Sequence, residues 1–476
     1  MFKPYSLLIL FVTIFYSSTS GQEIINVELS KTRSEAEVKN SYGLLAQNGV
    51  DLYQVLYTTK DLEGKKDTAS GLLVVPILEE TTMPMLVYQH GTVSAKDDVP
   101  SLLRGGYQLA EVCGALGYVS LAPDFLGLGT SRGLHPYVHA DSEAWAAIDM
   151  LKAVKPYLPR LNIKVNDKLF ITGYSQGGHA AMALHRELEQ NYADEFPVTA
   201  AAPMSGPYSI FGEMKKLFLG DEPYLYPAYL AFAILSFDAA YGLFDELEEY
   251  FEPAFANLIR INLSSTLSLQ TLNTLLITGL KQRHGESIPR YILQDSIQQG
   301  ILTNPDHPLL VAMAKNDVYK WAPQAPTRLL YCTADDQVPY TNSLVALDTM
   351  LSFGASDVSA IDVETDADHG ECVLPAITGA LIFFAGLKDV ETSIEALLPP
   401  HLRIFPNPAN EYLSVQGLVP GDMVELYDMR GQLKRQWMVR EENLEISVSD
   451  NWKGFHLLRI TTESGSWTQK VMLMAK

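Results

Sequence analysis

Apolar positions along this chain fall into short runs whose spacing changes from one part of the sequence to the next. Two early runs, at residues 50–58 and 68–75, alternate between apolar and polar positions, which predicts an antiparallel hairpin. Later runs are almost continuously apolar, as expected for parallel strands that are covered on both faces. These later runs lie at residues 85–89, 118–122, 168–172, 198–202, 328–332 and 358–363.

Helical patterns separate most of these runs. Apolar residues recur at helical spacing at residues 104–116, 141–157, 178–191, 340–352 and 375–387. Strands that alternate with helices indicate a parallel sheet with helices on its faces. The pattern therefore predicts an α/β fold with a mostly parallel, eight-stranded sheet.

One long interval has no strand pattern. Residues 207–326 are rich in Leu, Tyr, Phe and Ala at helical spacing, and the interval is too long for a loop. It is inserted between two strands whose carboxyl ends would form the rim of a site. We expect a helical cap that supplies an apolar pocket; the alternative is an accessory helical layer that does not contact substrate.

Both ends of the chain differ from its middle. Residues 402–476 carry short alternating runs separated by Gly and Pro, which predicts a small all-β sandwich. Lys3, an apolar run at 7–16 and small residues up to Gly21 form the pattern of a secretory signal peptide. The 476 residues thus divide into a signal peptide at 1–21, a catalytic domain at 22–398 and the sandwich at 402–476.

Charge and hydropathy exclude some functions. The formal net charge of −21 lies in the part before residue 402, because residues 402–476 hold nine basic and nine acidic side chains. Such an acidic body repels nucleic acids, so we expect no nucleic-acid partner. The apolar run near the amino end is too short to serve as a transmembrane anchor, and no later run is long enough.

The strongest chemical motif follows the apolar run at 168–172. The sequence Gly-Tyr-Ser-Gln-Gly-Gly places Ser175 in a turn from strand to helix, which is typical of the nucleophile elbow of acyl hydrolases. A second Gly-x-Ser-x-Gly surrounds Ser131, but it follows a loop-like segment, and Pro136 argues against a helix directly after it. We expect Ser175 to be the nucleophile and Ser131 to be a loop residue.

A serine nucleophile needs a base, and the base needs an acid that orients it. In an α/β-hydrolase the acid and then the histidine follow the serine, each after a strand. Of the ten histidines, only His369 meets this order, directly after the last apolar run of the large domain. Asp335 and Asp336 both follow the run at 328–332. Asp335 is the better candidate because it lies nearer the strand end, and Asp336 remains the alternative.

The remaining candidates support this chemistry. The oxyanion needs two backbone N–H donors, for which we expect Gln176, directly after the nucleophile, and Thr92, in the loop after the third strand. Cys332 and Cys372 lie three residues from Asp335 and His369, so a disulfide between the acid loop and the base loop is a further hypothesis. No ligand cluster for a metal occurs in the sequence, and we expect no cofactor.

Several motifs of the large domain occur in a characteristic order. They are Tyr-Gln-His-Gly-Thr at 88–92, Ala-Pro-Asp-Phe-Leu-Gly-Leu-Gly at 122–129, His-Pro-Tyr at 135–137, Gly-Tyr-Ser-Gln-Gly-Gly-His at 173–179 and Ala-Pro-Met-Ser-Gly-Pro at 202–207. With these motifs the large domain resembles, from residue 49 to 388, the secreted lipase family of the α/β-hydrolase superfamily that contains Candida lipase A-like enzymes. The resemblance implies a triad of Ser175, Asp335 and His369, a helical cap, and carboxylic-ester substrates.

The tail resembles a different family. Phe-Pro-Asn-Pro at 405–408, the segment 424–431, Gly-Phe-His-Leu at 454–457 and Lys-Val-Met at 470–472 match the carboxy-terminal sorting domain of proteins exported by type IX secretion. This implies Sec passage to the periplasm and export across the outer membrane by the type IX machinery. The product would then be secreted or attached to the cell surface.

Together these features predict a secreted serine hydrolase, a lipase or esterase, that cleaves carboxylic esters through an acyl-enzyme on Ser175. One alternative is a serine peptidase of the same fold. Another is a non-catalytic binding protein displayed at the cell surface. The nature of the acyl chain does not follow from the sequence.

Overall fold

The computed structural model describes residues 22–43, 46–78, 82–263, 268–388, 401–407, 409–428, 433–449, 452, 454–462 and 465–473. The signal peptide predicted at 1–21 lies outside these residues. The chain divides into two compact units, Met1–Ala385 and Gly386–Lys476.

A single large sheet forms the centre of the first unit. Its strand order is β1-β2-β3-β5-β4-β6-β7-β8-β9. Neighbouring strands are antiparallel from β1 to β3 and between β3 and β5, and they are parallel from β5 to β9. The strands are β1 Ile24–Arg33, β2 Val50–Lys60, β3 Lys66–Pro76, β4 Thr82–Gln89, β5 Val119–Pro123, β6 Lys164–Tyr174, β7 Val198–Met204, β8 Thr327–Tyr331 and β9 Val358–Asp362.

This sheet has nine strands rather than the eight expected from the sequence. The additional strand, β1, lies at the edge and pairs with β2 alone. Most of its side chains are exposed to solvent. Because an exposed edge strand needs few apolar residues, β1 gives little hydrophobic signal in the sequence.

Helices cover the sheet and form an insertion after β7. They are α1 Glu35–Tyr42, α2 Tyr107–Ala115, α3 Ala140–Val154, α4 Gln176–Asn191, α5 Lys215–Leu219, α6 Pro227–Tyr241, α7 Leu247–Tyr250, α8 Pro253–Leu263, α9 Leu269–His284, α10 Asp295–Thr303, α11 Pro308–Lys315, α12 Thr341–Ser352 and α13 Val373–Lys388. The short helix α1, which the apolar pattern did not indicate, begins with a capping box of Ser34 and Glu37.

The middle of the sheet is buried on both faces. Val87 of β4, Leu121 of β5 and Ile171 of β6 are fully buried and belong to one apolar cluster. Ala147 of α3 and Leu184 of α4 belong to the same cluster. Each large aliphatic side chain buried in this way contributes about 1.5–3 kcal/mol to folding. The sheet is thus a rigid base for the loops at the carboxyl ends of its strands.

The insertion between β7 and β8 is helical. Helices α5 to α11 lie in this interval, and its described residues contain no strand. Phe237, Phe255 and Leu272 are buried in a core of its own. Tyr137 and Val338, from outside the insertion, belong to the same core. The insertion, which we call the cap, therefore packs on the loop that carries Tyr137 and on the loop after β8.

The second unit consists of two antiparallel sheets. One has the order β10-β11-β14 and the other β13-β12-β15-β16. Alternate residues of both sheets, such as Leu413, Val424 and Leu458, are fully buried in one shared core, as in a sandwich. The strands are β10 Arg403–Phe405, β11 Tyr412–Gln416, β12 Met423–Asp428, β13 Leu433–Met438, β14 Asn443–Ser447, β15 Gly454–Thr462 and β16 Gly465–Leu473.

Candidate active site

Ser175 lies in a sharp turn between β6 and α4. Its backbone has φ 62° and ψ −123°, a conformation that is costly for a residue with a side chain. The two glycines beside it permit the turn. A Cβ on Gly173 would lie 2.2 Å from the carbonyl oxygen of Gly177, and one on Gly177 would lie 2.0 Å from that of Gln89. Glycine is therefore required at both positions, as the elbow motif predicts.

The structure brings Ser175, His369 and Asp335 together. His369 Nε2 lies 2.8 Å from Ser175 Oγ, and Nδ1 lies 2.7 Å and 2.9 Å from the two carboxylate oxygens of Asp335. An ionised carboxylate can only accept, so Nδ1 carries the proton and Nε2 accepts from the serine hydroxyl. The side chains of His369 and Asp335 are 8% and 1% exposed, which removes most competing water from this chain of bonds.

Asp335 and Asp336 have different partners. Asp335 Oδ1 also accepts from the N–H groups of Gln337 (3.0 Å) and Val338 (2.8 Å). Asp336 Oδ1 accepts instead from the backbone N–H of His369 at 3.2 Å, and its Oδ2 accepts from the hydroxyl of Tyr226 in the cap at 3.1 Å. Asp335 thus contacts the imidazole, whereas Asp336 ties the base loop to the cap.

Tyr174 adds a further contact to His369. Its hydroxyl donates to the carbonyl oxygen of His369 at 2.5 Å, and the two rings lie 5.0 Å apart. Burial raises the pKa of Tyr174 above its ordinary value, so the hydroxyl stays protonated and remains a donor. The residue before Ser175 therefore helps to hold His369.

The two expected oxyanion donors lie next to the elbow. A Cβ on Gly91 would be 3.2 Å from the carbonyl oxygen of Tyr174 and 3.7 Å from Ser175 Cβ, so the loop that carries Thr92 passes directly against the turn. Gln176 is the first residue of α4, where backbone N–H groups have no partner within the helix. Among the described residues, no acceptor partners the backbone N–H of Thr92 or of Gln176. Both groups are available to an oxyanion.

Ser131, in the second Gly-x-Ser-x-Gly, has a different environment. It is 1% exposed, its hydroxyl donates to Asp67 at 2.7 Å, and it accepts from the N–H of Gly127 at 3.0 Å. These bonds fix a loop and leave the hydroxyl buried.

The structure contains a disulfide between Cys332 and Cys372, whose Cα atoms lie 6.0 Å apart. It joins the loop of Asp335 to the loop of His369. The third cysteine, Cys113, is fully buried, and burial raises the pKa of its thiol to about 12. A buried, protonated thiol of this kind is a poor nucleophile.

A cavity of about 460 Å³ lies next to the loop that carries Thr92, and Val93 of that loop is one of its lining residues. Such a volume is in the range of small-molecule sites. Apolar side chains from the loops beside the elbow and from α6 and α8 of the cap line much of it: Val93, Leu128, Leu134, Phe232, Leu235 and Leu263. Lys96, Asp97 and His135 also line it. The cavity therefore lies between the cap and the loop that carries Thr92.

Two buried polar residues at the site were not predicted. Glu143, in α3, contacts the side chain of Gln176, and Asn316, at the end of α11, contacts His179. The available signal for Glu143 was a carboxylate within a run of small and apolar residues in a helix. Asn316 gave no such signal.

Within the described ranges, no group of three or more His, Cys, Asp or Glu side chains could hold a metal ion. No helix in the part of the chain that the structure describes is both long and apolar enough to cross a membrane.

Comparison with known proteins gives a family for the tail. Residues 403–474 match the model of the secretion system C-terminal sorting domain. This confirms the resemblance inferred from the tail motifs. No curated protein sequence matches the chain significantly.

Solved structures match the first unit. The rice cell wall degrading esterase LipA from Xanthomonas oryzae is 27% identical, with a TM-score of 0.69, and the match covers 77% of this chain and 98% of that chain. Candida antarctica lipase A is 14% identical, with a TM-score of 0.58, and the match covers 77% of this chain and 82% of that chain. The second match concerns the fold alone. The large unit thus has the α/β-hydrolase fold of these esterase and lipase structures, and residues 403–474 belong to the sequence pattern of the secretion system C-terminal sorting domain.

Proposed function

We propose that this protein is a carboxylic ester hydrolase in which Ser175 is the nucleophile, His369 the base and Asp335 the orienting acid. The observation that carries the proposal is the continuous chain of bonds from Ser175 Oγ through His369 to Asp335, at 2.8 Å and 2.7 Å. The similarity to an esterase over most of the first unit supports an ester as substrate.

The reaction follows from this geometry. Ser175 Oγ attacks the ester carbonyl carbon while His369 Nε2 takes the hydroxyl proton, and Asp335 stabilises the resulting imidazolium. The oxyanion would accept from the N–H groups of Thr92 and Gln176. When the intermediate collapses, the bond from carbon to the leaving oxygen breaks and His369 returns the proton to that oxygen. Water then hydrolyses the acyl-enzyme by the same steps in reverse, so no cofactor is required.

The cavity beside Thr92 supports a substrate with an apolar group. Phe232 and Leu235 bring the cap to this cavity, and Leu128 and Leu134 supply apolar surface from the sheet side. Burial of an acyl or alcohol chain there would add binding energy of about 0.8 kcal/mol for each CH₂ group. Activity on p-nitrophenyl esters of increasing chain length should therefore rise until the cavity is filled.

Replacement of Ser175 tests the proposal. Ser175→Ala should fold normally and lose hydrolysis of p-nitrophenyl esters by at least about 10³-fold, because the nucleophile is gone. A fluorophosphonate probe should label the wild type and not this variant. The matched control is Ser131→Ala, the serine of the second motif, which should still be labelled.

Three results would contradict the proposal. Ester hydrolysis that survives Ser175→Ala would show that another residue is the nucleophile. Hydrolysis of aminoacyl anilides without that of esters would indicate a peptidase. The absence of both activities in the wild type, with no labelling, would favour a non-catalytic binding protein.

The sorting domain supports the cellular part of the proposal. We infer that the chain enters the periplasm through its signal peptide and is exported by the type IX machinery, so that the hydrolase acts in the medium or at the cell surface. Removal of residues 403–474 should leave active enzyme inside the cell envelope. Unchanged export of that truncated chain would contradict the inference.

A further inference from the structure

A buried polar cluster lies behind the oxyanion hole. It consists of Glu143, Gln176, His179 and Asn316, each at most 1% exposed, together with the ring of His135. Glu143 is central. Its Oε1 accepts from the side-chain amide of Gln176 at 2.9 Å, and its Oε2 lies 2.7 Å from His179 Nδ1. The proposed mechanism does not otherwise use Glu143, His179 or His135.

Both amide protons of Gln176 have a partner. One is donated to Glu143, and the other to His135 Nε2 at 2.7 Å. His135 can accept there because its Nδ1 lies 2.9 Å from the carbonyl oxygen of Leu126 and must carry the proton. Burial lowers the pKa of His135 to about 4, which keeps the ring neutral and Nε2 an acceptor at neutral pH.

The hydrogen-bond partners of His179 couple its protonation to that of Glu143. The two ring nitrogens of His179 face Glu143 Oε2 and the backbone carbonyl oxygen of Asn316, the latter at 2.9 Å. Both partners are acceptors, so the pair holds either an imidazolium with a carboxylate or a neutral imidazole with a carboxylic acid. Its net charge is zero in both forms, which makes burial of the pair tolerable.

The same cluster reaches the cap. The side-chain oxygen of Asn316 accepts from the N–H of Ala140 at 2.9 Å, and its amide donates to the hydroxyl of Tyr241 in α6 at 3.1 Å. Ala140 begins α3, the helix of Glu143. The cluster thus links α3, α4 and two helices of the cap through hydrogen bonds.

We propose that Glu143 is a positioning residue for the oxyanion hole, because it fixes the side chain and hence the backbone N–H of Gln176. Gln176 directly follows Ser175, whose backbone is held in a costly conformation. A donor N–H stabilises an oxyanion only at about 2.7–3.1 Å, so a small rotation of this peptide would weaken the transition state. The proposal rests on the proposed function, since it requires that an oxyanion forms at this site.

Two substitutions of Glu143 separate positioning from a simple structural role. Glu143→Met removes both acceptors at nearly constant volume and should lower kcat by about 10-fold or more, with KM changed less than about 2-fold. Glu143→Gln can accept from Gln176 and donate to a neutral His179 Nδ1, so it should restore kcat. The affinity of butylboronic acid, which forms a tetrahedral adduct on Ser175, should follow kcat in both variants.

Glu111 supplies the matched control. It is also a fully buried carboxylate, bonded to Arg33 at 2.7 Å and to the hydroxyl of Tyr42 at 2.5 Å. Glu111→Met should lower Tm and leave kcat and boronate affinity unchanged. If Glu143→Met behaves in the same way, with a lower Tm alone, the proposal is overturned. Glu143→Gln with a kcat as low as that of Glu143→Met would also overturn it, because charge rather than positioning would then matter.

Gln176→Met provides a second route if Glu143→Met does not fold. It keeps the backbone N–H and removes the bond to Glu143 together with the bond to His135, so it should lower kcat and boronate affinity at least as much as Glu143→Met does. Unchanged values would overturn the proposal. Fluorophosphonate labelling of Ser175 in the wild type checks the proposed function separately: a labelled wild type with unaffected variants contradicts only the role of Glu143.

Discussion

At the scale of single residues, surroundings assign different roles to identical side chains. Asp335 and Asp336 are adjacent, yet the first bonds to the imidazole of His369 and the second to its backbone N–H. Ser175 and Ser131 share a pentapeptide motif, yet Ser131 is enclosed by Asp67 and Gly127. The role of each residue follows from the partner that its polar atoms reach.

This difference predicts unequal effects of two matched substitutions. Asp335→Asn should lower kcat by about 10³–10⁴-fold, because an amide cannot hold His369 in the required tautomer or stabilise its imidazolium. Asp336→Asn should lower kcat by less than about 10-fold, since an amide oxygen can still accept from the backbone N–H. Steady-state ester hydrolysis at pH 8 measures both. A larger loss for Asp336→Asn would assign the acid to Asp336, and equal losses would contradict the separate roles of the two residues.

At the scale of elements, the site depends on loops that are held from several sides. The elbow is fixed by glycines that no other residue could replace without collision. The acid and base loops are joined by the disulfide and by Asp336, whose carboxylate also bonds to Tyr226 of the cap. Such redundancy keeps the reacting groups within hydrogen-bond distance before substrate binds.

Removal of the disulfide should therefore affect stability. The bridge closes a separation of 40 residues, for which loop closure predicts a contribution of about 4 kcal/mol to the free energy of unfolding. The double variant Cys332→Ala/Cys372→Ala should lose about that amount in urea denaturation.

A thiol titration checks the bridge directly. Denatured, unreduced protein should show the single thiol of Cys113, and native protein should show none because that thiol is buried. In Cys113→Ala the denatured chain should show no thiol. Three thiols in the denatured wild type would mean that the bridge is absent.

At the scale of the whole molecule, two units have separate cores. The first unit has one core around the large sheet and another within the cap, and the second unit has a core between the two sheets of the tail. The sequence family of the tail concerns secretion, whereas the structural relatives of the first unit are hydrolases. Catalysis and export are therefore expected to be separable.

A chain that ends at Lys388 tests this separation. Because the first unit has its own core, the truncated protein should hydrolyse p-nitrophenyl esters with kcat within about 2-fold of the full chain. In calorimetry the full chain should show two unfolding transitions and the truncated protein only one. A truncated protein that is unfolded, or one whose kcat falls by about 10-fold or more, would show that catalysis depends on the tail.

Much of the fold could be predicted because its signals are local. The runs that became β2 to β9 and the helical character of residues 207–326 are visible as apolar periodicity. The edge strand β1 was missed since most of its side chains face solvent. A strand with few buried side chains leaves only a weak apolar pattern in the sequence.

The sequence by itself predicted the type of chemistry. A glycine-flanked serine after a strand, followed in order by an aspartate and a histidine, is a pattern of short segments whose local structure can be inferred one at a time. Only the tertiary structure decided which aspartate faces His369, that Cys332 meets Cys372, and that Glu143 contacts the side chain of Gln176. The last two are contacts between residues that are distant along the chain, and the first is a choice between two neighbouring residues. All three depend on distance, direction and burial, which the order of residues does not contain.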